Sequence, residues 1–184
     1  QFVDGVDSFA REKGINYDLI HSHYWMSGLA AASLSDLWDG TPILHMFHTL
    51  GEMKNRIARS PEEREGDYRI HGEKQVLARA NRIIVATDAE KAQLQWLYKG
   101  DLQKMETIPP GVDVSHFYPI PKDEARQFIG LSRDQRMVLF VGRIEPLKGV
   151  DTLIRSMSCL KFQSVVHPVY LAIIGGEPDA DPED

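Results

Sequence analysis

The chain has 184 residues, of which 42% are hydrophobic and 26% are charged, and its formal net charge is −6. This composition is typical of a globular protein, and the negative charge argues against a general affinity for nucleic acid. Its one cysteine excludes an internal disulfide, and no apolar run reaches the ~20 residues of a membrane span. We therefore expect a protein of a reducing, cytoplasmic compartment, without a nucleic-acid partner or a transmembrane segment.

The first 108 residues alternate between helical and extended patterns. Helices are predicted at residues 1–13, 27–37, 68–80 and 88–98, and strands at residues 17–21, 43–47, 82–86 and 105–108. This alternation predicts a parallel sheet wound by helices. Residues 51–66 are polar and charged, with Ser60-Pro61 among them, and we expect a mobile excursion near a site.

A second unit is predicted to begin near Tyr118. Residues 113–123 contain prolines and aromatics and fit neither periodic pattern, so they mark a domain boundary. Residues 137–141 then form a continuous apolar run, which predicts a strand covered on both faces of a parallel sheet.

Two cations follow this predicted strand, Arg143 and Lys148, after the strand-breaking Gly142. In open α/β sheets, ligands bind beyond the carboxyl ends of strands, where helix amides also favour anions. The segment matches neither a Walker loop nor a dinucleotide fingerprint. It therefore suits a multiply charged anion such as a diphosphate; the alternative is that both side chains are simply solvated.

Four histidines lie at or near the ends of two predicted strands: His21, His23, His45 and His48. His21 and His23 lie on one face of an extended chain, and a metal site would require His45 or His48 as a further ligand. Their spacing matches no strong zinc pattern. The alternative, histidines that hydrogen-bond to their neighbours and line a cleft, is favoured.

Five short motifs occur in one order along the chain: residues 21–28 (HSHYWMSG), 47–50 (FHTL, with Lys54 after it), 108–113 (IPPGVD), 142–149 (GRxxxxKG) and 173–176 (IIGG). Together they resemble retaining glycosyltransferases of family four (group 1), whose two-domain architecture is called GT-B. The chain is most similar to the branch of sucrose-phosphate synthases and inositol-phosphate glycosyltransferases.

The resemblance implies an α/β fold with two Rossmann-like parallel-sheet domains, both incomplete in this chain. Residues 1–118 would be the latter part of an amino-terminal acceptor-binding domain, and residues 119–184 the start of a carboxyl-terminal nucleotide-sugar-binding domain. The family's glutamate pair and its amino-terminal glycine-rich loop would lie outside these residues. We therefore expect an internal fragment that is inactive by itself.

The resemblance also implies roles for individual residues and excludes a metal ion. Catalysis is assigned to His48, Arg143 and Lys148, donor binding to Gly142, Arg143 and Lys148, and acceptor binding to Tyr24, Thr49, Lys54 and Arg69. The implied reaction transfers a hexose, with retention and without a cofactor, from a nucleotide-diphosphate sugar to a small acceptor, expected to be a sugar phosphate or inositol phosphate. Alternatives are a non-catalytic relative that binds a nucleotide sugar or carbohydrate, and an epimerase or phosphorylase of similar build.

Overall fold

The computed structural model describes residues 1–145, 148–161 and 169–176. The chain divides into two compact units, residues 1–112 and residues 113–184, so the predicted boundary near Tyr118 lies inside the second unit. Within the described residues, no helix is long and apolar enough to cross a bilayer.

In the first unit, helices and strands alternate as predicted. They are α1 (Phe2–Lys13), β1 (Ile20–His23), α2 (Trp25–Leu37), β2 (Ile43–Met46), α3 (Gly51–Ile57), α4 (Asp67–Arg79), β3 (Arg82–Val85), α5 (Asp88–Tyr98) and β4 (Met105–Thr107), with short 3-10 turns at Pro61–Glu63 and Leu102–Lys104. The strands form one parallel sheet in the order β1-β2-β3-β4.

The core of this unit lies between the sheet and its helices. Apolar side chains from β2, β3 and β4 pack against α2, α4 and α5, among them Ala31, Ile43, Val76, Ile83 and Leu94. Because all four strands are parallel, their carboxyl ends lie along one edge of the sheet, and the loops that follow them begin at that edge.

Two of the element predictions were wrong in detail. The first strand begins at Ile20 rather than at residue 17, and it continues to His23. Residues 51–66, for which no helix was predicted and a mobile excursion was expected, contain α3 and a 3-10 turn. The cause of the second error lies outside the local sequence, because the carboxylate of Glu73 on α4 accepts hydrogen bonds from the Gly51 amide at the start of α3.

The second unit contains α6 (Lys122–Phe128), β5 (Arg136–Val141), α7 (Val150–Lys161) and β6 (Val169–Ile174). β5 and β6 form a parallel pair in which Val141 lies beside Ile174. The prediction that β5 is covered on both faces is wrong for this chain, since Leu139 is 51% exposed and Val141 is 68% exposed. Among the described residues, the pair has no third strand to complete its sheet.

Candidate functional site

The carboxyl ends of β1 and β2 carry unusual backbone conformations. Tyr24, directly after β1, has φ 70° and ψ 148°, and its amide donates to the carbonyl of Met46 on β2. His48, two residues after β2, has φ 63°, and the Thr49 amide donates across it to the carbonyl of Phe47 at 2.8 Å. Positive φ in side chains this large costs about 1–3 kcal/mol and concentrates at functional sites.

Arg69 is the centre of a buried polar cluster beside these strand ends. Its side chain is 1% exposed. It donates from Nε to Glu73 at 2.9 Å, from Nη1 to Glu65 at 2.7 Å and from Nη2 to Thr49 Oγ1 at 3.0 Å. The guanidinium carbon lies 5.1 Å from the centroid of the Tyr24 ring. Burial disfavours the guanidinium charge, but the hydrogen bond and charge of Glu73 and the charge of Glu65 outweigh it, so the pKa of Arg69 is raised.

Glu73 is fully buried and accepts hydrogen bonds from three parts of the unit. The donors are Arg69 Nε, the Gly51 amide at the start of α3, and the Tyr98 hydroxyl at the end of α5. Burial, and then the bond with Glu73, raise the pKa of Tyr98, which therefore stays protonated as a donor. This single carboxylate joins α3, α4 and α5.

Lys54 and Glu65 form the more exposed side of the cluster. Lys54 Nζ lies 2.7 Å from Glu65 Oε1, the same oxygen that accepts from Arg69, and 41% of the Lys54 side chain is exposed. The hydrogen bond from Lys54, with the charges of both cations, lowers the pKa of Glu65. The side chain of Asn55 fixes the main chain of Glu65. Asn55 Nδ2 donates to the Glu65 carbonyl, and Asn55 Oδ1 accepts from the Glu65 amide.

The structure thus brings the four predicted acceptor residues, Tyr24, Thr49, Lys54 and Arg69, into one cluster. It also adds two carboxylates that sequence reasoning missed, so the charges of Lys54 and Arg69 are balanced by those of Glu65 and Glu73. The site offers the hydroxyls of Tyr24 and Thr49 and one accessible ammonium. The missed signal was the four-residue spacing of Glu65, Arg69 and Glu73. Arg69 and Glu73 lie on one face of α4, and Glu65 lies two residues before that helix.

Two of the histidines contact each other, and a third contacts a serine. His23 Nδ1 lies 2.8 Å from His48 Nε2, and Ser22 Oγ lies 2.8 Å from His45 Nδ1. His45 is completely buried, and burial, followed by the charges of the neighbouring histidines, lowers its pKa to about 4. Within the part of the chain that the structure describes, no three His, Cys, Asp or Glu side chains are placed to hold a metal ion.

In the second unit, the predicted donor residues follow β5. The Gly142 amide donates to the Ile174 carbonyl of β6 at 2.9 Å. Arg143 is exposed and lies 3.2 Å from the Glu145 carboxylate. Lys148 is also exposed and lies two residues before the start of α7, and its own amide donates to the Glu145 carbonyl. The end of β5 at Val141, two exposed cations and the start of α7 at Val150 therefore occur within ten residues.

Comparison with curated proteins gives relatives that share most of this chain. It is 42% identical over 151 residues to a D-inositol 3-phosphate glycosyltransferase of Actinosynnema mirum. That alignment covers 82% of this chain and 36% of the relative. It is 36% identical over 187 aligned positions to a D-inositol 3-phosphate glycosyltransferase of Jonesia denitrificans. This alignment covers 98% of this chain and 44% of the relative. The chain therefore spans less than half the length of these relatives.

Solved structures share its fold. Sucrose-phosphate synthase from Thermosynechococcus elongatus superposes with a TM-score of 0.79 and 30% identity, over 100% of this chain and 42% of that one. Anabaena HepE, solved in complex with UDP-glucose, superposes with a TM-score of 0.69 and 20% identity, over 98% of this chain and 45% of that one. The fold class is therefore GT-B, as predicted.

Two family descriptions divide the chain. Residues 121–184 match Glycosyl transferases group 1, and residues 3–116 match Glycosyltransferase Family 4. The match over residues 3–116 covers more than half of the chain and contains the whole polar cluster around Arg69. The chain therefore belongs to glycosyltransferase family 4.

Proposed function

We propose that the protein containing this chain is a retaining hexosyltransferase, which moves a sugar from a nucleotide-diphosphate sugar to a small acceptor that carries a phosphate. Residues 1–112 would hold the acceptor, and residues 113–184 would begin the domain that binds the donor. The observation that carries the proposal is the cluster of Tyr24, Thr49, Lys54 and Arg69 at the carboxyl edge of the first sheet. The similarity to D-inositol 3-phosphate glycosyltransferases supports it.

Within this proposal the acceptor residues have different tasks. Lys54 is the accessible cation, and its ammonium would meet the acceptor phosphate as a point charge. Arg69 has donors already engaged by Glu65, Glu73 and Thr49. It would therefore act by fixing Tyr24 and Thr49, whose hydroxyls would contact the acceptor.

The donor residues would act on the leaving group. Negative charge grows on the nucleoside diphosphate as the glycosidic bond breaks, and fixed cations aimed at it stabilise the transition state more than the ground state. Arg143 and Lys148 would supply that charge, and the amide groups at the start of α7 would add to it. Gly142, at the end of β5, leaves room for a ligand near the backbone. His48 would face the donor sugar.

The test uses the full-length protein with UDP-, ADP- and GDP-glucose and with matched acceptors, such as inositol and inositol phosphate. We expect transfer to the phosphorylated acceptor, with a lower KM than for its dephosphorylated form. Lys54→Ala should reduce that preference by about tenfold, the effect of one charge-assisted hydrogen bond, and leave the donor KM unchanged.

The matched control is Lys74→Ala, which removes an exposed lysine on α4. Equal KM values for the two acceptors in the wild type would refute a phosphate-selective site. Donor turnover to an isomer without an acceptor would instead indicate an epimerase, and binding without turnover would indicate a non-catalytic relative.

A further inference from the structure

His48 is held by an unusual backbone and by a second histidine. The hydrogen bond from Thr49 to Phe47 closes a γ-turn around His48 with positive φ, a rare and strained form. The imidazole then reaches back to β1, where its Nε2 lies 2.8 Å from His23 Nδ1. The two rings are nearly parallel, with centroids 5.0 Å apart. The His23 ring also contacts the ring of His21, at a centroid distance of 4.3 Å.

A hydrogen bond between two imidazole nitrogens contains one proton, so one ring donates and the other accepts. The accepting nitrogen must be unprotonated, so at most one of the two rings can carry a charge while the bond is made. Partial burial, with the charges of His21 and His48, lowers the pKa of His23 and so keeps its ring neutral near pH 7. The bond engages Nε2 of His48 and leaves Nδ1 as the nitrogen that a ligand can meet.

We propose that His23 is a positioning residue for His48. By bonding Nε2, it fixes the orientation of the His48 ring and selects one tautomer, so that Nδ1 presents a single donor or acceptor to the substrate. The inference rests on the proposed function for its kinetic consequence, while the hydrogen bond itself is a property of the chain alone.

The register of the sheet explains why His23 reaches His48. His23 lies beside Met46 at the carboxyl end of β2, and the chain turns at His48 two residues later. The remaining histidine of the group, His45, bonds Ser22 and is fully buried, so it does not compete for His48.

The kinetic experiment uses the full-length protein and the variants His23→Ala, His23→Asn, His48→Ala and the double variant His23→Ala/His48→Ala. His23→Ala should lower kcat by about tenfold, the value of one oriented hydrogen bond, and leave the donor KM unchanged. His23→Asn should recover most of the loss, because its amide occupies the place of Nδ1 and can donate or accept. In the double variant, removing His23 should add less than about twofold to the loss from His48→Ala.

His71→Ala, an exposed histidine on α4, is the control and should match the wild type. Multiplicative losses in the double variant would show that His23 acts independently of His48 and would overturn the inference. So would an Asn variant as slow as the Ala variant, or an unchanged kcat in His23→Ala.

A second measurement separates this inference from the proposed function. In the 184-residue chain labelled with nitrogen-15 histidine, NMR should show His48 in one tautomer, and His23→Ala should give a mixture. A tautomer mixture in the wild type would overturn the inference whatever the kinetics show. One tautomer together with no sugar transfer by the full-length protein would refute the proposed function and leave the His23–His48 bond standing.

Discussion

Replacing Glu73 by Gln tests whether the buried carboxylate holds the first unit together. Glu73 is 0% exposed and accepts from Arg69, from the start of α3 and from Tyr98. A glutamine of the same size removes the charge and turns an NH2 group toward groups that are themselves donors. Breaking a buried ion pair by removing one partner costs about 3–5 kcal/mol. Because Arg69 keeps its bond to Glu65, we expect a loss near the lower limit, about 3 kcal/mol.

The assay follows tryptophan fluorescence during urea unfolding. All three tryptophans, Trp25, Trp38 and Trp96, belong to residues 1–112, so the signal reports on the first unit and is insensitive to the second. The matched control is Asp36→Asn, which breaks the exposed ion pair between Asp36 and Arg79 that joins α2 to α4. Surface pairs contribute at most about 1 kcal/mol, so the control should change stability little.

Equal losses in Glu73→Gln and Asp36→Asn would refute the reasoning, since they would show that burial adds nothing to the pair. The double variant Arg69→Met/Glu73→Gln gives an independent check. Because it removes the charge that would otherwise remain without its buried partner, its loss should be smaller than the sum of the two single losses. An additive result would contradict the assignment of Arg69 and Glu73 as one unit.

Two further predictions concern the second unit and the buried histidine. In the full-length protein, Arg143→Ala and Lys148→Ala should each lower the rate of sugar transfer by about ten- to a hundredfold through weaker binding of the diphosphate. The surface control Arg133→Ala should leave the rate unchanged. Unchanged kinetics in Arg143→Ala and Lys148→Ala would refute the donor assignment. The pKa of His45 falls from 6.5 to about 4 on folding. The contribution of neutral His45 to the free energy of unfolding is therefore complete above pH 6.5. As the pH falls toward 4, the free energy of unfolding decreases by about 3 kcal/mol. His45→Asn should flatten this part of the pH–stability profile and His71→Asn should not, as measured by urea unfolding between pH 7 and 4.

Local patterns in the sequence were enough to predict the elements of the first unit. The apolar face of α1 and the polar cap of α5 are local signals, and Thr87 does accept a hydrogen bond from the Glu90 amide. The helix α3 was missed because its first turn is stabilised by Glu73, 22 residues farther along the chain. The exposure of β5 was missed because an apolar run indicates a buried strand only where neighbouring strands and helices cover it.

The candidate site was predictable in its membership but not in its charge. Parallel strands end at one edge of the sheet, and Tyr24 and Thr49, which follow β1 and β2, both contact Arg69 there. Whether Lys54 and Arg69 are free or paired depends on side-chain contacts between α3, α4 and the turn that joins them. Sequence spacing shows that Glu65 and Glu73 can reach Arg69. It does not show that Glu73 is buried, and a buried carboxylate must be paired because an unpaired buried charge is costly.

The stability of the cluster and the strain of the strand ends are connected. Tyr24 and His48 hold backbone conformations that cost about 1–3 kcal/mol each, and such conformations persist only where surrounding contacts fix them. The guanidinium of Arg69 supplies contacts on both sides, since it lies over the Tyr24 ring and bonds Thr49, the residue after His48. Glu73 in turn holds Arg69 and the start of α3. A buried ion pair adds little net stability, so the main effect of the Arg69–Glu73 pair is to fix the positions of its neighbours. It keeps two strained strand ends in one arrangement at the carboxyl edge of the sheet.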